Sequence, residues 1–335
     1  MESKLYSLME SKLYSLDEVI QFIENGSLLA LAGDERVLSK LPKGNWVAGT
    51  IPYFMNVEKG LFSQDQIYVN MLGTPNDNFL IKTYDDDSIE SFLDDSYDNG
   101  YSLLILPAFQ KIHQTFAIKA EDMGNLYNNP VVGWVSGVNL NSTDIPKVYN
   151  GLNANSYTDK AVVLHVELPE NKFAQIDIVN IFEQDEASVS IEFFLDSFEV
   201  VNCLIDGVEK NLAQYIKDNN IDTKLPLVAD YSGASINVSI KEVDTDNGIV
   251  SFYAPVFSSK KYKFAKPVNN YVNKFEQNVI NIEVDNSFSC NCILNYLYGE
   301  LEGKKINNVK GPITFGEIAY QLLNQTLVTL TINEM

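Results

Sequence analysis

The chain has 335 residues, 45% hydrophobic and 21% charged, with 24 Lys+Arg against 45 Asp+Glu, a net charge of −21 and a pI near 4.4. That apolar fraction supports packed cores and excludes wholesale disorder, and the length predicts two domains of about 150 residues each. A polyanion whose basic residues include a single arginine, Arg36, lacks the clustered cations and bidentate forks of phosphate recognition, which excludes nucleic acid as a partner.

The octamer MESKLYSL occupies 1–8 and is repeated unchanged at 9–16. It is too short for a solenoid repeat, and 1–14 read as an appendage. The N-terminus lacks the basic and apolar regions of a leader, and no window approaches the ~18 apolar residues of a membrane span. Cys203, Cys290 and Cys292 are too few for a disulfide framework. The expectation is a cytoplasmic protein without membrane association. Its abundant Asn, and Lys in place of Arg, suit an AT-rich bacterial genome.

Ser15-Leu16-Asp17-Glu18 is a capping box, and predicts a helix carrying Val19, Ile20, Phe22 and Ile23 up to Asn25-Gly26. Strands are predicted at 28–32, 45–54, 66–72, 101–106 and 130–137, with helices at 34–41, 87–98 and 110–121. This alternation argues for an α/β layer. From residue 160, the segments 161–168, 173–182 and 188–194 alternate as an antiparallel meander would. A strand at 198–205 then turns at Asp206-Gly207 into a predicted helix over 208–219. Asp246-Asn247-Gly248 marks a hairpin, 268–275 and 290–301 read as helices, and 325–332 as a closing strand. The expected fold is mixed α+β: two packed halves, 15–197 and 198–335, each with a mixed or antiparallel sheet flanked by helices. The halves also share an echo, Ile112-His113-Gln114-Thr115-Phe116 against Leu323-Asn324-Gln325-Thr326-Leu327.

Reactive chemistry finds little material. His165-Val166-Glu167 and Cys290-Asn291-Cys292 hold too few ligands for a structural zinc site. No Gly-x-Ser-x-Gly elbow or nucleotide-binding glycine loop occurs. Asp244-Thr245-Asp246-Asn247-Gly248 lacks the Glu that completes a calcium loop, Ala254 standing there. The acidic run Asp85, Asp86, Asp87, Glu90, Asp94, Asp95 and Asp98 reads as a solvated helix face. No metal or cofactor is expected. An enzymatic alternative would use Cys290, at a helix start that lowers a thiol pKa, or Cys203, with His113 or His165 as base.

Three polar glycine turns carry the binding argument: 48–54, 132–137 and 311–318. Glycine lets backbone approach a ligand or another segment closely. Gly49, Thr50 and Tyr53, then Gly133, Ser136 and Gly137, then Thr314, Gly316 and Glu317 are the candidate ligand-binding residues. Such groups orient a small polar molecule without reacting with it.

Taken together these segments resemble the FIST (F-box and intracellular signal transduction) sensory-domain superfamily. The clearer match is in the second half: Val201-Asn202-Cys203-Leu204-Ile205-Asp206-Gly207, a helix with Tyr215, Pro226-Leu227, the 244–248 hairpin, the stretch 252–264, 290–298, Phe315-Gly316-Glu317-Ile318 and Asn324-Gln325-Thr326-Leu327. The turns at 48–54 and 132–137 resemble the glycine turns of the family's N-terminal domain, with Ile51-Pro52-Tyr53 in place of its small residues. The resemblance spans about 15–332. It implies an N-terminal and a C-terminal sensory domain, a bound amino acid or similar metabolite, a protein signalling partner, and a Glu317 turn facing the ligand cleft. The resulting expectation is a non-catalytic small-molecule-binding protein; a scaffold acting through exposed strand edges is a further alternative.

Overall fold

The computed structural model describes residues 11–231, 234–279, 288–306 and 309–335. The fold is mixed α+β, with four six-stranded sheets and one three-stranded sheet. The first sheet orders Lys12–Ser15, Gln66–Gly73, Leu28–Gly33, Trp46–Thr50, Val148–Asn150 and Asn155–Tyr157. The second orders Gln321–Leu323, Glu317–Ala319, Val131–Ser136, Gly100–Pro107, Ala161–Glu167 and Phe79–Tyr84. The third orders Lys172–Asn180, Thr326–Glu334, Phe288–Cys292, Gly311–Thr314, Tyr53–Met55 and Gly60–Phe62. The two remaining sheets, built from strands between Ile191 and Phe264, are antiparallel throughout.

Each of the first three sheets contains one parallel pair joined across a short helix. Leu28–Gly33 and Trp46–Thr50 flank Glu35–Leu38; Gly100–Pro107 and Val131–Ser136 flank Lys111–Lys119; Phe288–Cys292 and Gly311–Thr314 flank Ile293–Tyr298. These pairs are buried on both faces; the strands Leu28–Gly33 and Gly100–Pro107 are near-continuous apolar runs, whereas Phe288–Cys292 alternates, with Ser289 and Asn291 buried as well.

Strands from either side of residue 197 share sheets. Tyr53–Met55 pairs with Gly311–Thr314, Val131–Ser136 with Glu317–Ala319, and Lys172–Asn180 with Thr326–Glu334. One hydrophobic core accordingly runs from Leu28 to Leu330.

Several local expectations are met. Ser15 and Glu18 form the capping box, and the helix Leu16–Glu24 buries Val19 and Ile23. The hairpin at 245–248 joins Ile240–Asp244 to Ile249–Val256.

Others are corrected. The second octamer copy is not an appendage throughout, because Lys12–Ser15 forms an edge strand with Gln66–Val69 on which Tyr14 packs against Phe22; the first copy lies outside the described residues. The single strand expected over 45–54 breaks at Ile51-Pro52: proline cannot donate to a ladder, and the chain passes from the first sheet to the third. The meander does not form, since 161–167 and 172–180 belong to different sheets. Asp206 and Gly207 both take positive φ, 50° and 77°, so they make a tight hairpin between Asn202–Ile205 and Val208–Asn211, and the helix starts only at Leu212, capped by Asn211. Cys290 lies on a strand, not a helix: Phe288-Ser289-Cys290-Asn291-Cys292 alternates with period two and pairs with Thr326–Glu334 on one side and Gly311–Thr314 on the other. The acidic run contains only a 3-10 helix, Ile89–Asp95, and is partly paired: Asp86, before that helix, binds Lys111 and Thr115, and Asp95 binds Lys82 and Tyr84. The echo is not a repeat, for its first copy lies on a helix and its second enters a strand.

Candidate functional site

The three glycine turns meet in space. Gly137 N–H donates to Thr50 O at 2.6 Å, Phe315 N–H to Val135 O at 3.0 Å, and Val135 N–H to Gly316 O at 2.8 Å, while Trp134 faces Glu317 across the ladder. Gly49 lies against the Trp134 indole. Gly133 and Gly137 are more crowded still. A Cβ on Gly133 would stand 1.8 Å from Leu104 O, and one on Gly137 would stand 2.3 Å from a ring carbon of Phe315.

The polar groups of these turns bind protein. Thr50 Oγ1 accepts from Lys147 N–H at 2.9 Å, and Tyr53 OH accepts from Leu140 N–H at 3.2 Å. Ser136 is the exception: it is fully buried, and its Oγ has no hydrogen-bond partner among the described residues. Thr314 Oγ1 lies 3.1 Å from Gly316 O and 3.2 Å from Glu317 Oε1. Glu317 is wholly buried, accepting from Thr326 Oγ1 at 2.9 Å and Thr326 N–H at 3.4 Å. Burial pushes its carboxyl up to about 8, against the partial opposition of the Thr326, Thr314 and Cys292 hydrogen bonds. It is an interior group and does not reach the cleft described next.

That cleft, of about 240 Å³, sits where two parallel pairs end. Gly100–Pro107 leads to Phe109, Val131–Ser136 to the loop 138–146, Phe288–Cys292 to Ile293, Leu294 and Leu297, and Gly311–Thr314 to Phe315. Tyr253 completes the wall. The carboxyl ends of parallel strands are where open α/β sheets place their ligand crevices. Most of the lining is apolar or aromatic; Asn139, Ser142 and Asp144 supply the polar side chains. Phe109, Leu140 and Leu297 leave large apolar side chains 48%, 45% and 42% exposed around it.

Phe109 is held there under strain. Its φ is 62°, a left-handed conformation costing a non-glycine residue roughly 1–2 kcal/mol. His113, four residues on, accepts the Phe109 N–H on Nδ1 at 3.3 Å. Burial, reinforced by Lys241, depresses the imidazole to about 4, so the ring is neutral, and the Phe109 bond assigns its one proton to Nε2. On the opposite wall, Thr50 and Tyr53 fasten the two ends of loop 138–146. The sequence-predicted residues therefore build and hold the walls, while none of the nine lines the cleft. Of the residues sequence reasoning missed, Phe109, Asn139 and Asp144 had one signal, that each follows an apolar strand the sequence did show; Leu297 had none, because the strand before it, Phe288–Cys292, falls where the sequence predicts a helix.

Two other grooves, of about 340 and 350 Å³, flank the segment 268–274. They are more open, and lined largely by Asn, Lys and acidic side chains. The cleft at the strand ends has the enclosed apolar walls that retain a small ligand.

The cysteine–histidine alternative has no matching geometry. Cys290 and Cys292 are fully buried and their thiols raised well above the ordinary range, first by burial and then by Glu317; burial lifts Cys203 to about 11. Cys290 Sγ donates to Gly133 O at 3.4 Å. His165 bonds Ser102 Oγ at 2.8 Å and Tyr84 OH at 3.3 Å, and His113 serves Phe109. Among the described residues no group of three or more His, Cys, Asp or Glu could hold a metal. The Asp244 carboxylate is taken by Asp246 and Asn247 N–H groups within its own turn.

Residues 14–333 match the model of a family of unknown function, DUF6976, and the chain belongs to that family. No curated protein matches it.

Proposed function

We propose that the protein is a non-catalytic small-molecule-binding protein whose ligand occupies the cleft between Phe109, loop 138–146, Leu297 and Phe315. The observation that carries this reading is the convergence of four strand ends on one apolar cleft, with a strained aromatic residue at its mouth. Strain of this kind clusters at ligand clamps, where surrounding contacts over-determine it. The resemblance to the FIST sensory superfamily points toward the same role, with a signalling partner reading the bound state. Three unpaired, buried cysteines fit the reducing cytoplasm as its compartment. Among the described residues no helix is long and apolar enough to cross a membrane.

A ligand that binds only the folded state raises the melting temperature. A thermal-shift screen of amino acids, amines and other metabolites should therefore yield stabilising compounds. Leu297→Trp, on a half-exposed position at the cleft, should abolish the shift without lowering the ligand-free melting temperature. A screen without any shift, or shifts identical in the Leu297→Trp variant, would remove the cleft as the binding site.

A further inference from the structure

The polar side chains of the cleft are unevenly charged. Asp144 is the charged residue of the lining, and no Lys, Arg or His accompanies it. Its carboxylate is exposed, and among the described residues it enters no ion pair; the neighbouring Lys147 is committed to Glu35. Asn139 and Ser142 are largely occupied within the loop. Asn139 Oδ1 accepts from Asn141 N–H at 2.9 Å and lies 3.4 Å from Tyr53 OH, and Ser142 Oγ donates to Asn139 O at 2.9 Å. The loop thus presents one unengaged acceptor, and it is anionic. Around it lie Leu294, Leu297, Phe315 and Tyr253. The aromatic wall already accommodates one ammonium, that of Lys241, 4.7 Å from the Phe109 ring centroid on a residue outside the lining. The whole chain carries −21 charges, which repels anions from the mouth of the cleft at long range.

On the reading of this cleft as a ligand site, we infer that its ligand class is the amphipathic amine: an apolar body bearing one ammonium group and no carboxylate. The ammonium pairs with Asp144, and the apolar body packs between Leu297 and Phe315. A free amino acid brings a carboxylate into a cleft whose lining holds no cation, and its α-carboxylate would lie beside the very charge that Asp144 supplies. The volume of about 240 Å³ lies just under the usual ~300–1,000 Å³ range for ligand pockets, which suits a small compound.

Calorimetric titration with four phenyl probes tests this: phenethylamine, phenethyl alcohol, hydrocinnamate and phenylalanine. They share the apolar body and differ in charge. Phenethylamine should bind about tenfold more tightly than the alcohol, the scale of a hydrogen bond to a charged group at a partly solvated site. Hydrocinnamate and phenylalanine should bind more weakly than the alcohol. Asp144→Asn should bring the amine down to about the affinity of the alcohol. Leu297→Trp should abolish binding of both. If the alcohol and amine bind equally, or the preference for the amine survives Asp144→Asn, the ligand class is wrong while the cleft stands. If no probe binds, both the ligand class and the cleft assignment fall.

Discussion

The backbone N–H of Phe109 donates to Nδ1 of His113 at 3.3 Å, and this bond joins a strained turn to the helix Lys111–Lys119. The turn follows the strand Gly100–Pro107, so the ring is placed at the strand's carboxyl end.

Asparagine tolerates a left-handed backbone far better than phenylalanine does. Phe109→Asn should leave the melting temperature unchanged or raise it slightly, relieving roughly 1 kcal/mol of strain while losing a ring that is only half-buried. Ligand binding in the same variant should weaken at least about fivefold, because the ring forms one wall of the cleft. Thermal denaturation beside a titration checks both. A large loss of stability with intact binding would make Phe109 a packing residue.

Stability should peak near pH 6.5 through three buried groups. Burial depresses His113 and His165 to about 4. Their contribution is therefore complete above the unfolded value of 6.5 and is lost as pH falls toward 4. Burial raises Glu317 from 4.5 to about 8. Its contribution is complete below 4.5 and is lost as pH rises through 8. Chemical denaturation at a series of pH values should show both limbs. Glu317→Gln removes the ionisation and should flatten the alkaline limb, leaving the variant more stable than the parent at pH 8.5 by roughly 2–4 kcal/mol. An unchanged alkaline limb would show that Glu317 ionises freely in the folded protein.

The two crowded glycines should respond differently. At Gly133 a methyl group meets the Leu104 carbonyl in the parallel ladder, and backbone cannot step aside without breaking the pair. Gly133→Ala should cost more than about 3 kcal/mol or prevent folding. At Gly137 the obstacle is the Phe315 ring, which can turn, so Gly137→Ala should cost only about 1–3 kcal/mol. Because Phe315 also lines the cleft, the milder variant should weaken ligand binding as well. Equal melting temperatures for the two variants would contradict the distinction.

All three thiols should resist alkylation at neutral pH in the folded protein and react together after unfolding, since burial keeps each protonated. Intact-mass measurement of iodoacetamide adducts reads this directly. One rapidly modified thiol in the native state would revive a cysteine-dependent activity.

What the sequence made legible was local. Ser15 with Glu18 announced a helix start, and Asn247-Gly248 a hairpin, because each is settled by hydrogen bonds within a few residues. Ile51-Pro52 shows where local reading stopped: the proline was visible as a turn, yet the change of sheet depends on Gly311–Thr314, at the far end of the chain. Cys290 was misplaced for a similar reason, since its strand is fixed by distant ladders, in which Val328 faces Cys290 and Ile313 faces Asn291. The glycine turns were singled out for contact with a ligand, and their nearest partners proved to be one another. Glycine marks close approach without saying what approaches. The cleft itself was invisible because its lining comes from five separate segments.

The pairing of Tyr53–Met55 with Gly311–Thr314 sets an order in time. At a synthesis rate of ~5–20 residues per second, the early strand waits on the order of ten seconds or more for its partner to leave the ribosome. Until then its edge is open, and so is that of Val131–Ser136, which awaits Glu317–Ala319. Folding must end with a late closure over very long sequence separations, the slow class of topology. A nascent chain cut short before residue 311 would therefore expose these strand edges, and that of Lys172–Asn180, for other chains to capture, and quality control would meet an aggregating fragment rather than a folded half.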